Sequence, residues 1–392
     1  MKKIGIIGGG ISGLVAAINL KKDSNEVTIL EKNNECGKKI LLTGNGRCNF
    51  YNEDMDINHF HSSSDQIDII NQNDMDIVLR FIDSLGIEKK IKNGYYYPFS
   101  NKASTIRDTL LYEVNKRKIN VKTNYEVRDI KKVSDKYIVN NELEFDYLII
   151  SCGGSSYPKT GSTGDINNIL SNMDVKINKL LPSLTNLHTD ASFLKDWQGI
   201  REDVRVSIYV DDNLKKEEEG EIQLTKYGIS GICVFNISRY ASIALSEGKK
   251  VKVKIDFLPS IGDIKAFLDN KQRDLELLEL LKRIFNETLA KIIIDESNIK
   301  RNVIYKNLSD IEKTRLFKSI KEFTLDITKT GSFDESQVTI GGVSLDEINN
   351  NMELKKHKGL FVIGEALDID GDCGGYNIAF AIYSALKVGL ND

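Results

Sequence analysis

Residues 2–31 read KKIGIIGGGISGLVAAINLKKDSNEVTILE, and this stretch decides the fold. A short apolar run leads to glycines in G-x-G-x-x-G spacing, then to apolar residues at roughly helical spacing, and then to a second apolar run that ends at Glu31. The order strand, glycine turn, helix, strand and acid is typical of a βαβ unit that binds a dinucleotide. The stretch therefore predicts a Rossmann-like domain.

The residues of this unit have separate physical roles. Gly8 permits a tight turn, Gly10 has no side chain to hold off a pyrophosphate, and Gly13 allows close packing of helix and strand. The helix N-terminus offers free N–H groups and partial positive charge. Glu31 can accept hydrogen bonds from ribose hydroxyls and disfavours a 2′-phosphate, which indicates FAD or NAD rather than NADP. The cofactor-binding residues predicted here are Gly8, Gly10, Ile11, Ser12, Gly13, Glu31 and Lys32.

A late segment, residues 359–389, distinguishes FAD from NAD. It reads GLFVIGEALDIDGDCGGYNIAFAIYSALKVG and predicts a strand over 360–363, a glycine-rich turn and a helix over 376–388. FAD-binding chains of this type return a late segment to the flavin, where a helix N-terminus stabilises the negative charge of the reduced ring. The cofactor-binding residues predicted here are Gly364, Glu365, Asp370, Gly374, Gly375, Tyr376 and Asn377.

Two further pieces complete the predicted cofactor domain. Residues 145–165, FDYLIISCGGSSYPKTGSTGD, predict a strand over 147–151 that is ended by Gly153 and Gly154. Residues 121–145, which include Val127, alternate like a small β-meander with a turn at NNEL. The cofactor-binding residues predicted in these two pieces are Val127, Cys152, Gly153 and Gly154. Residues 36–52, CGKKILLTGNGRCNFYN, form a glycine-rich loop that lacks the G-K-[ST] ending of a phosphate-binding P-loop.

Composition sets limits on the class of protein. The chain has 392 residues, which predicts about two or three domains, and a formal net charge of −3 excludes a basic nucleic-acid footprint over the whole molecule but not a local patch. The five cysteines form no CxxC pair, which indicates reduced thiols of a cytoplasmic protein rather than a zinc ribbon. We expect no metal site, even at His59 and His61, and no membrane span, because no apolar run approaches about 18 residues.

The chain as a whole resembles a known family. The blocks GGGISGL, GKKILLTGNGRCNFYN, YYYPFSNKAS, CGGSSYPKTGSTGD, GEIQLTKYGISG, TIGGV and GEALDIDGDCGGYNIAFA resemble those of BaiN-like flavoproteins, also called aminoacetone-oxidase-type FAD-binding enzymes or YhiN-like oxidoreductases. The resemblance implies an α/β fold in which a Rossmann-like FAD-binding domain, here residues 1–186 and 331–392, carries an inserted β-barrel-like module, here 187–260, and a helical module, here 261–330.

The resemblance also assigns roles to the 36–52 loop. Gly44 and Gly46 would lie along the flavin ring and its ribityl chain, and Lys39 or Arg47 would face the pyrophosphate, the ring carbonyls or an anionic substrate. The cofactor-binding residues implied in this loop are Lys39, Gly44, Gly46, Arg47, Cys48 and Asn49. No acid–base pair is identified from spacing. Candidates near the flavin face are Cys48, Glu365, Asp368, Cys373, Tyr376 and Asn377, of which Cys48, Cys373 and Tyr376 are the candidate catalytic residues.

Three functions stay open from the sequence. The first is an FAD-dependent oxidoreductase that transfers hydride through flavin N5, with transiently bound NAD(P)H or oxygen as redox partner and a small amine or enone as substrate. The second, also implied by the family, is reduction of uridine to dihydrouridine in ribosomal RNA. The third is a non-catalytic flavin-binding protein. We expect a small-molecule or ribosomal RNA partner, no membrane and no stable protein partner.

An RNA substrate would require a basic surface, and the predicted helical module offers one candidate. Its basic residues cluster at Lys306, Lys313, Arg315, Lys318 and Lys321. A solvated helix face is the other interpretation of this cluster.

Overall fold

The computed structural model of the protein describes residues 1–64, 67, 69–271 and 274–390. The chain forms two compact units. Unit 1 comprises Met1–Pro182 and Phe333–Asp392, and unit 2 comprises Ser183–Ser332. Unit 1 is therefore discontinuous in sequence. The further division of the insertion into two modules at residue 260 stays a prediction.

The first segment of unit 1 contains strands β1 to β12 and helices α1 to α4. The strands are β1 (Lys2–Ile7), β2 (Asn25–Leu30), β3 (Tyr51–Asn52), β4 (Phe60–His61), β5 (Lys89–Lys92), β6 (Tyr95–Pro98), β7 (Asn120–Lys122), β8 (Ile130–Val133), β9 (Lys136–Val139), β10 (Leu143–Phe145), β11 (Tyr147–Ile150) and β12 (Ile177–Ser183). The helices are α1 (Ile11–Leu20), α2 (Asp76–Ser84), α3 (Ala103–Lys116) and α4 (Ile166–Asn172).

Unit 2 contains strands β13 to β19 and helices α5 to α10. The strands are β13 (Leu187–His188), β14 (Arg201–Val210), β15 (Asn213–Thr225), β16 (Gly228–Ser230), β17 (Val251–Asp256), β18 (Phe323–Ile327) and β19 (Lys329–Thr330). The helices are α5 (Leu194–Trp197), α6 (Ile232–Ser246), α7 (Ile264–Asp269), α8 (Leu277–Leu281), α9 (Glu287–Glu296) and α10 (Asp310–Lys321).

The last segment returns to unit 1. It contributes β20 (Val338–Val343), β21 (Leu360–Val362), β22 (Asp370–Gly371) and α11 (Tyr376–Leu386). β21 pairs in parallel with β11, so that Leu148 lies opposite Leu360. The chain therefore places β21 beside a strand that it formed about 200 residues earlier, because both strands are apolar runs that are buried on two faces.

Unit 1 is built on a five-stranded parallel sheet in the order β21–β11–β1–β2–β7. The predicted strand–helix–strand unit is present as β1, α1 and β2, and the predicted meander is present as the antiparallel strands β8, β9 and β10. Residues 121–122 of the predicted meander belong to β7 and join the parallel sheet instead. The carboxyl ends of β1, β11 and β21 meet at one edge of the sheet, which is where open α/β sheets bind ligands.

Unit 2 is built on a seven-stranded sheet in the order β18–β17–β14–β15–β16–β13–β19. Neighbouring strands in this sheet pair in antiparallel fashion, for example β14 with β15 and β17 with β18. The strands at the two ends of this order, β18 and β19, are separated in the chain by Thr328 alone. The sheet therefore curls until its ends meet. Its buried strand residues share one hydrophobic core with the helices of unit 2.

Two parts of unit 2 differ from the sequence prediction. Residues 187–260 were expected to form a β-barrel-like module, but the helix α6 lies within them. Its buried residues Cys233, Val234, Ile237 and Ala241 follow a helical spacing, so one face of the helix packs on β14 and β15. The predicted helical module, in turn, ends in the strands β18 and β19, where alternate residues of β18 are buried.

Candidate functional site

A cleft opens at the carboxyl edge of the parallel sheet in unit 1. It is lined by the turn after β1, by the end of β2, by the segment after β11 and by the start of α11. Residues predicted from the sequence that line it are Gly8, Gly10, Ile11, Ser12, Glu31, Lys32, Lys39, Val127, Cys152, Gly153, Glu365 and Asn377. Residues from both ends of the chain therefore converge on one cleft.

The glycines of the β1–α1 turn differ in what surrounds them. A Cβ at Gly8, whose φ is +103°, would lie 2.6 Å from the carbonyl oxygen of Ser151. A Cβ at Gly13 would lie 2.0 Å from the carbonyl oxygen of Gly8, so helix and strand pack too closely for a side chain. A Cβ at Gly10 would meet only the Ser151 oxygen, at 4.0 Å. The space beside Gly10 is thus left open toward the cleft, as a pyrophosphate at the helix N-terminus requires.

Glu31 is buried and held by backbone and side-chain donors. Its Oε2 accepts a hydrogen bond of 2.7 Å from the Gly9 N–H, and its Oε1 accepts bonds of 2.8 Å from both the N–H and the Nδ2 of Asn33. A carboxylate accepts about four hydrogen bonds, so capacity remains for a ribose hydroxyl. Asn33 is fixed in turn by the carbonyl oxygen of Thr160, 2.9 Å from its Nδ2.

The C-terminal segment is tied to the loop at 36–52 by an ion pair. The Nζ of Lys39 lies 2.5 Å from Oε2 of Glu365, and both side chains are about one-fifth exposed. The other oxygen of Glu365 accepts a 3.0 Å hydrogen bond from the Thr339 N–H. Asn377, in the first turn of α11, accepts from the Gly371 N–H and donates to the Gly371 oxygen, at 2.8 Å in each case. This segment presents Asn377, Ile378 and Ala381 to the cleft.

Other predicted site residues lie outside the lining of the cleft. They are Gly13, Gly44, Gly46, Arg47, Cys48, Asn49, Gly154, Gly364, Asp370, Gly374, Gly375 and Tyr376. In the loop at 36–52, the residues that line the cleft are Gly37, Lys38, Lys39, Ile40 and Thr43. The Arg47 guanidinium lies over the ring of Tyr97 at 5.7 Å, and the buried Oδ1 of Asn49 has no partner among the residues that the structure describes.

The candidate catalytic residues Cys48, Cys373 and Tyr376 do not line the cleft. Cys48 is fully buried, and burial raises the pKa of its thiol to about 12. Tyr376 is buried, stacks on His59 with ring centroids 4.5 Å apart, and has its pKa raised mainly by burial. Cys373 lies in the turn before α11 and does not line the cleft. Cys152 does line it, but burial and the charge of Glu31 raise its pKa to about 12, so its thiol is protonated at neutral pH.

Several residues that line the cleft were not predicted from the sequence. The main group lies after β11, in the TGSTGDI stretch at residues 160–166, where Gly161 and Gly164 have positive φ. Lys32 reaches this stretch, with its Nζ 2.5 Å from Oγ1 of Thr163. The signal was present, because closely spaced glycines among small polar residues are typical of a loop that approaches a ligand. The further lining residues not predicted include Thr43, Tyr125, Glu126, Gln337, Val338, Ile369, Ile378, Phe380 and Ala381.

The acidic run DIDGD serves as a structural anchor. Asp368 is fully buried and accepts hydrogen bonds from the N–H groups of Gly341 and Ser63 and from Nδ2 of Asn178. Among the described residues, no group of three or more His, Cys, Asp and Glu side chains has the arrangement of a metal site. Asp368 thus joins three segments of unit 1 and does not face the cleft.

Comparison with known proteins identifies the family. The HI0933-like protein Rossmann domain family matches residues 2–391. The chain belongs to this family. The 3-dehydro-bile acid delta(4,6)-reductase of Clostridium scindens is 34% identical over 394 residues, which cover 97% of this chain and 96% of the relative. The ribosomal RNA dihydrouridine synthases of Haemophilus influenzae and Escherichia coli are 27% and 25% identical; the alignments cover 98% and 97% of this chain, and 97% and 95% of the relatives.

These findings confirm the resemblance to BaiN-like flavoproteins and the α/β fold with its Rossmann-like sheet. The protein is an FAD-dependent oxidoreductase, and FAD is its cofactor. The open space at Gly10 and the spare acceptor capacity of Glu31 fit that group. In the part of the chain that the structure describes, no helix has the length and apolarity needed to cross a bilayer.

Proposed function

We propose that the enzyme reduces a carbon–carbon double bond conjugated to a carbonyl group in a small, largely apolar metabolite. One observation carries this proposal: the 34% identity, over 97% of this chain, to a relative named as a bile-acid reductase. The relatives named as ribosomal RNA dihydrouridine synthases have lower sequence identity to this chain, 27% and 25%. An enone is therefore preferred to an amine or to uridine as the group that reacts.

The residues of the cleft give FAD a defined orientation under this proposal. Glu31 would hold the ribose of the adenosine, and the N–H groups at Ile11 and Ser12 would hold the pyrophosphate. Glu365 and Asn377 would face the ribityl chain and the flavin ring. When bound, FAD supplies hydride transfer at N5, and the chain supplies the orientation and the exclusion of water.

The electron donor is proposed to be NADH or NADPH that binds only during the reductive half-reaction. The support is in the sequence, which contains one G-x-G-x-x-G fingerprint, at residues 8–13, where a reductase with a resident nicotinamide site would carry a second glycine-rich unit. Oxygen is the alternative redox partner. We place the reaction in the cytoplasm, because none of the five cysteines, all of which the structure describes, forms a disulfide, and oxidising compartments favour disulfides.

A second candidate, uridine reduction in ribosomal RNA, is favoured by one surface of unit 1. The hairpin of β5 and β6 places Lys90 5.8 Å from the ring of Phe99, which is 67% exposed, and Tyr97 beneath Arg47. Exposed aromatic rings combined with basic side chains are typical of surfaces that bind single-stranded nucleic acid. We call Arg47, Lys90, Tyr97 and Phe99 the basic–aromatic patch.

The predicted RNA-binding cluster in the insertion receives less support. Lys306 is paired with Asp274, and the Nζ of Lys321 lies 2.7 Å from Asp256. Lys313 lies over the ring of Tyr305 at 5.3 Å. These three lysines interact with partners within unit 2, which favours the interpretation of this cluster as part of an ordinary solvated helix surface. The third possibility, a non-catalytic flavin-binding protein, is not carried forward, because the relatives are named enzymes.

The proposal is tested in two steps on the purified protein. An absorbance spectrum followed by anaerobic titration with NADH and with NADPH identifies the cofactor and the donor. Turnover is then measured with a steroid 3-keto-4-ene, with the saturated 3-ketone as the matched control, and with unmodified ribosomal RNA. Reduction of the 4-ene alone supports the proposal. Reduction of RNA uridine with no turnover of the enone would replace it with the second candidate.

A further inference from the structure

A cluster of two histidines around one carboxylate lies at the turn before α11, and the proposed function does not use it. Asp372 is buried, and its carboxylate oxygens lie 3.0 Å from Nδ1 of His59 and 3.0 Å from Nε2 of His61. The other ring nitrogen of His59 lies 3.2 Å from Oδ2 of Asp54. The ring of Tyr376, the first residue of α11, stacks on His59 with an angle of 20° between the two planes. We call His59, His61 and Asp372 the histidine clamp.

The clamp is continuous with the wall of the cleft. β4 pairs with β22, and this places His61 opposite Asp370. The Asp372 N–H donates to the His59 carbonyl oxygen at 2.9 Å. The side chain of Asn377, which lines the cleft, is bonded to both backbone groups of Gly371 and lies 3.4 Å from the carbonyl oxygen of Asp372. A shift of Asp372 would therefore displace the residue that faces the cleft.

The charge of His59 is sensitive to its surroundings. Burial acts to lower its pKa, but hydrogen bonds to Asp372 and Asp54 outweigh burial and raise the pKa above the ordinary value. The charged or titratable groups around it are Asp54, Asp372, His61 and Tyr376, and Asp56 and Tyr95 act on the Tyr376 hydroxyl. A protonated His59 makes charge-assisted bonds to both carboxylates, whereas a neutral ring donates only one ordinary hydrogen bond.

We propose that His59 is a positioning residue, which through Asp372 and Asn377 holds the amino-terminal turn of α11 against FAD and does so more firmly when its ring is protonated. The inference rests on the proposed orientation of FAD, with the start of α11 facing the flavin. It predicts that FAD is held more tightly at mildly acidic pH and that this dependence is lost when His59 cannot be charged. His61 supports the same carboxylate from the neighbouring strand.

The test measures the dissociation constant of FAD, by flavin fluorescence, at about pH 6 and about pH 8.5. The variant is His59→Gln, because glutamine donates one neutral hydrogen bond and so imitates the uncharged imidazole. We expect the dissociation constant of the variant to be about tenfold higher than that of the wild type at the lower pH and within about twofold at the higher pH. His357→Gln is the matched control, since His357 lies in the same unit and bonds the Met173 carbonyl oxygen.

A loss of affinity in His59→Gln that is equal at both pH values would overturn the inference, because a purely structural contact gives that result. Unchanged affinity at both values would overturn it as well, as would the same pH-dependent loss in His357→Gln. A second variant, Asp372→Asn, should weaken FAD binding at both pH values and abolish the difference between them. If the wild-type protein binds no FAD, it is the proposed function that fails, and the two failures are thereby distinguished.

Discussion

Lys39 and Glu365 are 326 residues apart in the sequence, and their charged groups lie 2.5 Å apart at the wall of the cleft. The pair joins the loop at 36–52 to the turn after β21. Because both side chains are about one-fifth exposed, the pair is less screened than a surface ion pair. It is one of the direct contacts through which the two ends of the chain close around the proposed FAD site.

Replacing Lys39 with methionine should weaken FAD binding. The change removes the charge but keeps most of the side-chain volume, and it leaves Glu365 with the Thr339 N–H as a donor. We expect the dissociation constant of FAD to rise about tenfold, which corresponds to about 1.4 kcal/mol. Lys89→Met, which removes an exposed ion pair with Asp83, is the control and should change the dissociation constant of FAD by less than about twofold. Equal effects of the two substitutions would contradict the role given to Lys39.

Two glycines three residues apart should respond differently to alanine. Gly10→Ala should fold normally, because the nearest atom to its Cβ is 4.0 Å away, and yet bind FAD poorly, because the methyl group enters the cleft. Gly13→Ala should lower the melting temperature strongly, because its Cβ would lie 2.0 Å from a carbonyl oxygen. Circular dichroism melts and FAD fluorescence titrations separate these outcomes. Normal FAD binding by Gly10→Ala would show that the pyrophosphate lies elsewhere.

The stability of the protein should depend on pH through His59. The pKa of His59 in the folded state is raised above its ordinary value of 6.5, so its contribution is fully present below that value and is lost as the pH rises through the folded-state pKa. The wild type should therefore melt about 2–4 °C above His59→Gln at about pH 5.5, and the gap should close by about pH 8.5. Calorimetry without added FAD measures both melting temperatures. A difference in melting temperature that grows as the pH rises would contradict a stabilising role for the protonated His59.

The basic–aromatic patch distinguishes the two candidate functions. Phe99 is exposed and lies outside the cleft lining, so Phe99→Ala should leave enone turnover and FAD affinity within about twofold of the wild type. If RNA is the substrate, the same change should lower affinity for single-stranded RNA about tenfold or more, because base–aromatic stacking is lost. Tyr112→Ala, at an exposed aromatic residue on α3, is the control for nonspecific effects.

The sequence by itself determined the Rossmann-like unit, because the roles of Gly8, Gly10, Gly13 and Glu31 depend on local spacing. It also determined that a second glycine turn and helix follow near the C-terminus, since α11 has a continuous apolar face. The helix α6 was missed although its helical spacing was present, because the strands around it alternate strongly.

Only the tertiary structure decided which residues meet. It paired β21 with β11, brought residues 160–166 to the cleft and turned Tyr376 away from the cleft onto His59. The acidic run DIDGD offers only alternating carboxylates in sequence. In the structure its last residue, Asp372, is the carboxylate that both His59 and His61 contact. The physical reason is that local periodicity determines the type of each element and which of its faces is buried. Contacts between segments hundreds of residues apart depend instead on which apolar faces pack against one another and are removed from water.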